Sequence, residues 1–240
     1  MIDICYLCGK SLAGAIDLDH VPMRQIHAPD VRRTHNLQLL TIPVHGHCNK
    51  QFQRDEDYFV HTIMPFARGS YAGDAIYQRT LEQFRNGRNS GLVHRVLQEF
   101  EPRPSGLVLP VNKVVKRLDG ARISRVAWKI VRGLYFHHNN AVLPATAALW
   151  VSLTPPGDVP PEHFLHFVGL PDNPSHGRYP GIFDYKFQMF PEGHYWALLF
   201  WDRIIMTVIF HDPACTCEKY ERDATEPSVE GLSEARGVAL

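Results

Sequence analysis

Two kinds of metal-friendly chemistry are interleaved in the first fifty residues of this 240-residue chain. Cys5-Tyr-Leu-Cys8-Gly9 is a C-x-x-C turn, and His45-Gly-His-Cys48 repeats its two-residue gap after an interval of thirty-six residues. Two thiolates on a tight turn reach one tetrahedral ion, and Gly9 supplies the backbone freedom that such a turn needs. His45 fits better than His47, whose adjacency to Cys48 hinders joint ligation of one ion. The plainer alternative makes Cys5 and Cys8 a redox pair or buried thiols and His45 a surface residue; two matched half-sites favour zinc. Four protein ligands leave no open position for water, so the role expected is structural.

Between and after these half-sites come Asp19-His20-Val21-Pro22, Asn36 and Asn49. A carboxylate, an amide and a neutral imidazole are hard donors that suit a magnesium-type ion and an activated water. An Asp-His pair alone is common, and an isolated histidine is more often a hydrogen-bonded surface or core residue than a base. The run Asp55-Glu56-Asp57 offers another ligand but reads as a solvated helix face. Cys215-Thr-Cys217 has the wrong spacing for a knuckle and reads as incidental.

Taken in order, Cys5-x-x-Cys8, Asp19-His20-Val21, Asn36-Leu37, His45-x-x-Cys48 and Asn49 resemble the HNH endonucleases, the treble-clef or ββα-metal nucleases. The resemblance covers about a quarter of the chain. It departs from the pattern where a zinc cysteine is His45 and where Asn49 stands for the last histidine of the family name. It implies His20 as general base, Asp19 and Asn49 as oxygen ligands of one Mg²⁺ or Mn²⁺ that stabilises the departing 3′ oxygen, and Asn36 as the residue pinning the His20 loop. The implied products are a 5′ phosphate and a 3′ hydroxyl. One such centre cuts one strand per event, so a double-strand cutter would need a homodimer or two successive nicks.

The elements that must position these residues are legible from pattern. Strands are expected over 13–20 and 37–43, a loop over 21–35, and a helix over 49–66 with Phe52, Phe59 and Ile63 on one side. Helical pattern continues over 72–100, broken at Asn86-Gly87 and Ser90-Gly91, and ends at Pro102-Arg-Pro104. A short strand is expected over 108–111. Over 123–135 an amphipathic helix carries Arg122, Arg125, Lys129 and Arg132 on the face opposite its apolar one. Strand composition follows at 185–190, 195–201 and 204–210, as an antiparallel meander. Large aromatics at Tyr195, Trp196, Phe200 and Trp201 read as core rather than as base-stacking platforms.

The fold class expected is α+β: a zinc-stabilised ββα-metal module over 1–66, a basic helical region over 67–140, an antiparallel β-rich region over 141–218 and an acidic, disordered tail over 219–240. Lys plus Arg balance Asp plus Glu at 25 each, yet residues 61–140 hold thirteen basic and five acidic side chains while 141–240 hold six and thirteen. That asymmetry points to a polyanion-binding middle, with the Arg122, Arg125, Lys129 and Arg132 stripe tracking phosphates, or to a solvated face paired with the acidic end. DNA is the partner expected, with RNA open. The odd cysteine number, the lack of a signal-peptide pattern and the lack of an eighteen-residue apolar run point to a cytoplasmic protein without a membrane partner. The competing reading is a zinc-binding nucleic-acid module without catalysis, and a further one a protein-interaction module.

Overall fold

The structure, a computed structural model, describes residues 3–101, 114–144, 147–160, 162–170, 174–177, 179–191, 193–211 and 238–239. Its fold is mixed α+β. Strand β1 (Ile16–His20) pairs antiparallel with β2 (Thr41–His45), which runs directly into helix α2 (Gly46–Ile63). The register sets Ile16 opposite His45, Asp19 opposite Ile42 and His20 opposite Thr41, so one hairpin carries a cysteine-cluster histidine at one end and Asp19-His20 at the other.

The stretch 21–35 is not a plain loop. It holds a 3-10 turn (Arg24–Ile26) and a short helix α1 (Pro29–Thr34). Pro29 at the first turn and Asp30 beside the helix N-terminus favour the start, and the two prolines that suggested a loop act as punctuation instead.

Helix α3 (Tyr71–Arg85) starts where Ser70 Oγ accepts from Gly73 N at 3.1 Å, and α4 (Ser90–Gln98) follows Asn89, whose φ of 57° turns the chain. Two short strands, β3 (Phe100–Glu101) and β4 (Val115–Lys116), pair with each other. The long helix α5 (Gly120–Asn139) is capped by Asp119, which accepts from Arg122 N at 3.3 Å, and stops at Asn140 with φ 50°. Strand β5 (Ala148–Thr154) and helix α6 (Glu162–Val168) were not predicted. The meander was: β6 (Phe183–Phe190), β7 (Gly193–Phe200) and β8 (Ile204–His211), with β5 added along β8 to give the order β5-β8-β7-β6. The expected strand at 108–111, the Pro102–Pro104 stop and Cys215-Thr-Cys217 lie outside the described residues. So does the expected tail, apart from β9 (Val238–Ala239), which pairs with β4.

One hydrophobic core runs from Tyr6 in the amino-terminal turn to Phe210 in the last long strand. Phe59 of α2 meets Phe200 of β7 edge-on at 5.5 Å, and Trp201 Nε1 donates to the Ile26 carbonyl at 3.0 Å. Tyr179 OH accepts from Leu40 N at 2.5 Å. The carboxy-terminal sheet thus buttresses the segment that carries His20. Gly133 of α5 shows how tightly the other side is packed: a Cβ there would stand 2.7 Å from Val21 Cγ2 and 3.3 Å from the Tyr6 ring. Among the described residues no helix is long and apolar enough to cross a membrane.

Candidate functional site

The amino-terminal turn and the start of α2 bring Cys5, Cys8, His45 and Cys48 together, with one ligand atom from each lying within 4.8 Å of all the others. Cys8 Sγ and Cys48 Sγ stand 3.4 and 3.9 Å from His45 Nδ1. Zinc bonds of roughly 2.3 Å to sulfur and 2.0 Å to nitrogen at tetrahedral angles require separations of this size. The knuckle is shaped by Gly9 N donating to the Cys5 carbonyl at 2.8 Å, with Gly9 at φ 73°. His45 Nε2 lies 3.1 Å from the Ser11 carbonyl, a contact that orients the ring so that Nδ1 faces the sulfurs. The Cys₃His cluster can hold a structural metal such as zinc, and His45 rather than His47 completes it.

Next to this cluster, the oxygens that the sequence assigned to a divalent ion meet a cation of the chain itself. Lys129 Nζ, on α5, lies 2.8 Å from Asp19 Oδ1 and 3.1 Å from Asn49 Oδ1, and it also hydrogen-bonds Glu56 Oε1. The remaining oxygen of Asp19 accepts from the Tyr6 hydroxyl. Burial, with the Asp19 charge second, raises Tyr6 well above its ordinary value, so the hydroxyl keeps its proton and donates. Asn49 turns its amide outward, Nδ2 donating to Asp17 Oδ2 at 2.8 Å. Glu56 is 6% exposed, which overturns its reading as part of a solvated face; Asp55 is engaged too, by Arg122 and Arg125.

A cleft of about 490 Å³ opens along β1 and α2, lined by Asp17, Asp19, His20, Asn49 and Glu56 on one side and by Arg24, His27, Arg32 and Arg79 among others. His20 is half-buried at this opening. Burial first, and the Arg24 charge second, hold its imidazole below the usual histidine value, so the ring is neutral at pH 7 and able to accept a proton. Sequence reading missed Arg24, Arg32 and Arg79 as a group, because each sits alone in a different element.

Two expectations fail on geometry. Asn36 is exposed, with φ 46°, at the turn that ends α1; its backbone N–H bonds Arg33 O, and it is not among the residues lining the cleft. A left-handed position suits asparagine for local steric reasons. The His20 segment is instead pinned by Val21 N donating to the Leu40 carbonyl at 3.0 Å. Nor do Arg122, Arg125, Lys129 and Arg132 form an exposed stripe. Lys129 and Arg132 are 2% and 3% exposed, Arg132 lying over the Trp128 ring at 4.3 Å. Arg122 pairs with Asp55 at 2.7 Å, and Arg125 reaches the same carboxylate at 3.0 Å. Through Arg122, Arg125 and Lys129 the polar face of α5 meets the acidic residues Asp55 and Glu56 of α2.

Neither the protein-family models, nor the curated proteins, nor the solved structures include a match to this chain.

Proposed function

We propose that the cleft beside β1 and α2 is the active site of an HNH-type endonuclease that hydrolyses phosphodiester bonds of DNA. The observation that carries this reading is the neutral, half-buried His20 at the opening of a cleft that runs along β1, whose partner strand β2 ends in His45 of the Cys₃His cluster. In the proposed reaction His20 takes a proton from water while the water oxygen bonds to phosphorus and the bond to the 3′ oxygen breaks, the departing oxygen taking a proton from solvent. The products are a 5′ phosphate and a 3′ hydroxyl.

The resemblance adds one Mg²⁺ or Mn²⁺ on Asp19 and Asn49. Their oxygens have the right chemistry, but as they stand they do not fit an ion: Asp19 Oδ1 and Asn49 Oδ1 are held by Lys129 and Asp19 Oδ2 by Tyr6. An ion at that point has to displace the Lys129 ammonium. The same observation favours a second reading, in which the chain is a zinc-stabilised nucleic-acid-binding protein that does not cut.

Supercoiled plasmid incubated with the full chain, with and without added Mg²⁺ or Mn²⁺, separates the two. Nicking that His20→Ala abolishes while the melting temperature stays native supports the nuclease. Binding without nicking under every ion condition supports the second reading.

A further inference from the structure

Arg24 projects from the 3-10 turn, Arg32 from α1 and Arg79 from α3, and all three line one cleft with His20. Their closeness is registered in their electrostatics: after burial, the charges of Arg24 and Arg32 are the next causes that lower Arg79, and both arginines also lower His20. Three guanidiniums brought together by three separate elements repel one another. Among the described residues no carboxylate forms an ion pair with Arg24, Arg32 or Arg79. Asp30, the one acid that registers on Arg79, is bonded to exposed Arg33, and Asp19 and Glu56 across the cleft are held by Lys129. Arg79 Nη1 donates to the His27 carbonyl at 3.4 Å.

His27 supplies a second, independent sign. It lines the same cleft, is 2% exposed, and among the described residues neither of its ring nitrogens makes a hydrogen bond of ordinary geometry, although the Arg24 and Met23 carbonyls act on the ring. A buried imidazole left this way costs free energy unless a ligand completes it. Its donor and the three guanidiniums together describe a receptor for an oxyanion, and fork-shaped guanidiniums bind phosphate oxygens two at a time.

We propose that Arg24, Arg32, Arg79 and His27 form a phosphate subsite that holds the nucleic-acid backbone next to the bond facing His20. This rests on the reading of the cleft as a nucleic-acid site, and it moves substrate grip from α5 to the wall of the cleft itself. The subsite binds the strand whether or not His20 acts, so binding and cutting can be scored separately.

The test measures fluorescence anisotropy of a labelled twelve-nucleotide single strand with the full-length protein and no added divalent ion, across a salt series. Arg24→Ala/Arg32→Ala/Arg79→Ala is expected to weaken binding at least about thirtyfold and to flatten the slope of log affinity against log salt by about two, since each single-strand phosphate contact contributes roughly 0.7. Because Arg79 also holds the His27 carbonyl, the double variant Arg24→Ala/Arg32→Ala, which touches only exposed or half-exposed side chains, keeps the test valid if the triple variant melts early. Removing two exposed cations of equal charge, Arg85→Ala/Arg88→Ala, should change affinity less than about threefold. Excess inorganic phosphate should compete with the strand on the native chain. Binding by the double variant equal to native, or a native chain that does not bind the strand at low salt, overturns the subsite. Arginine-dependent binding with no cutting of plasmid under any ion upholds the subsite and rejects the nuclease reading.

Discussion

Helix α2 has a buried lysine on each of two flanks, and the two are arranged differently. Lys116, brought in by β4, bonds Glu99, whose two oxygens also accept from the Tyr58 and Thr62 hydroxyls. One positive charge meets one negative charge, and Asp119 N closes the cluster by donating to Tyr58 OH at 2.8 Å. Lys129 instead meets two carboxylates, Asp19 and Glu56, and an amide whose other end is turned toward Asp17. That cluster carries one excess negative charge, and Asp19, Asn49 and Glu56 all border the cleft. The first is a closed ion pair that staples β4 to α2. The second is the floor of an opening, with charge left for something else to answer. Burial of an ion pair is poor proof of stabilisation in either case, because desolvation offsets much of the attraction. What distinguishes them is what remains when the lysine is taken away.

The largest expected effect follows directly. Lys129→Met leaves Asp19 and Glu56 buried side by side, and should lower unfolding free energy by about 3–5 kcal/mol, the usual cost of orphaning a buried charge. Lys116→Met leaves Glu99 with two hydroxyl donors and some solvent access, 11% of its side chain, and should cost about 1–3 kcal/mol. Urea unfolding of both variants gives the comparison, and equal losses would remove the distinction. Glu56→Gln combined with Lys129→Met should recover a large part of the first loss, because one of the two uncompensated charges is deleted and Asp19 keeps the Tyr6 hydroxyl as a donor.

A middle-sized effect comes from the neutral histidine on the cleft side. Burial pushes His27 down to about 4, against the pull of the Arg24 and Met23 carbonyls, while the unfolded chain should titrate near the ordinary value of roughly 6.5. Below that ordinary value the unfolded chain takes up a proton that the folded one refuses. The stability that His27 contributes as a neutral ring is therefore complete above roughly pH 6.5 and is lost as pH falls toward 4, by about 2–3 kcal/mol in all. Burial also raises Glu56, with the opposite sign on acidification, so the useful quantity is the difference between native and His27→Gln. That difference should shrink steadily from pH 7 to pH 4. A flat difference would mean that the ring is solvated or partnered, and the cleft would lose its resemblance to an unfinished anion site.

How far these features could be read from the sequence depended on how local their cause is. The cysteine cluster was legible because ligation demands matched spacings, and Cys5, Cys8, His45 and Cys48 met as expected. So were α2, α5 and three strands of the large sheet, each written in its own periodicity. Lys129 was misplaced for the same reason: a 3.6-residue period puts it on the polar face of α5, and nothing local says that this face is packed against acids 73 and 110 positions away. Counting charge by segment had a similar blind spot. It assigned polyanion binding to residues 61–140, and of the three arginines in the proposed subsite only Arg79 comes from that stretch. Strand β5 was missed because forty-nine residues separate it from its partner β8 and it lies between Pro144 and Pro155-Pro156.

The smallest expected effect is the sharpest test of whether the Lys129 cluster stands where a divalent ion would bind. In the native chain the ammonium already satisfies Asp19 Oδ1, Asn49 Oδ1 and Glu56 Oε1, so millimolar Mg²⁺ should shift the melting temperature by less than about 1 °C. In Lys129→Met the same oxygens are hard, clustered and uncompensated, which is the donor set Mg²⁺ takes. Ten times its dissociation constant of Mg²⁺ would return about 1.4 kcal/mol, a shift of roughly 3–6 °C for a chain of this size. Lys116→Met should show no such shift, because Glu99 is a single carboxylate among hydroxyls. A Mg²⁺ response in the native chain equal to that of Lys129→Met would mean that the ion and the ammonium do not compete. The ion would then bind elsewhere, and the two lysines would differ only in how many acids each one holds.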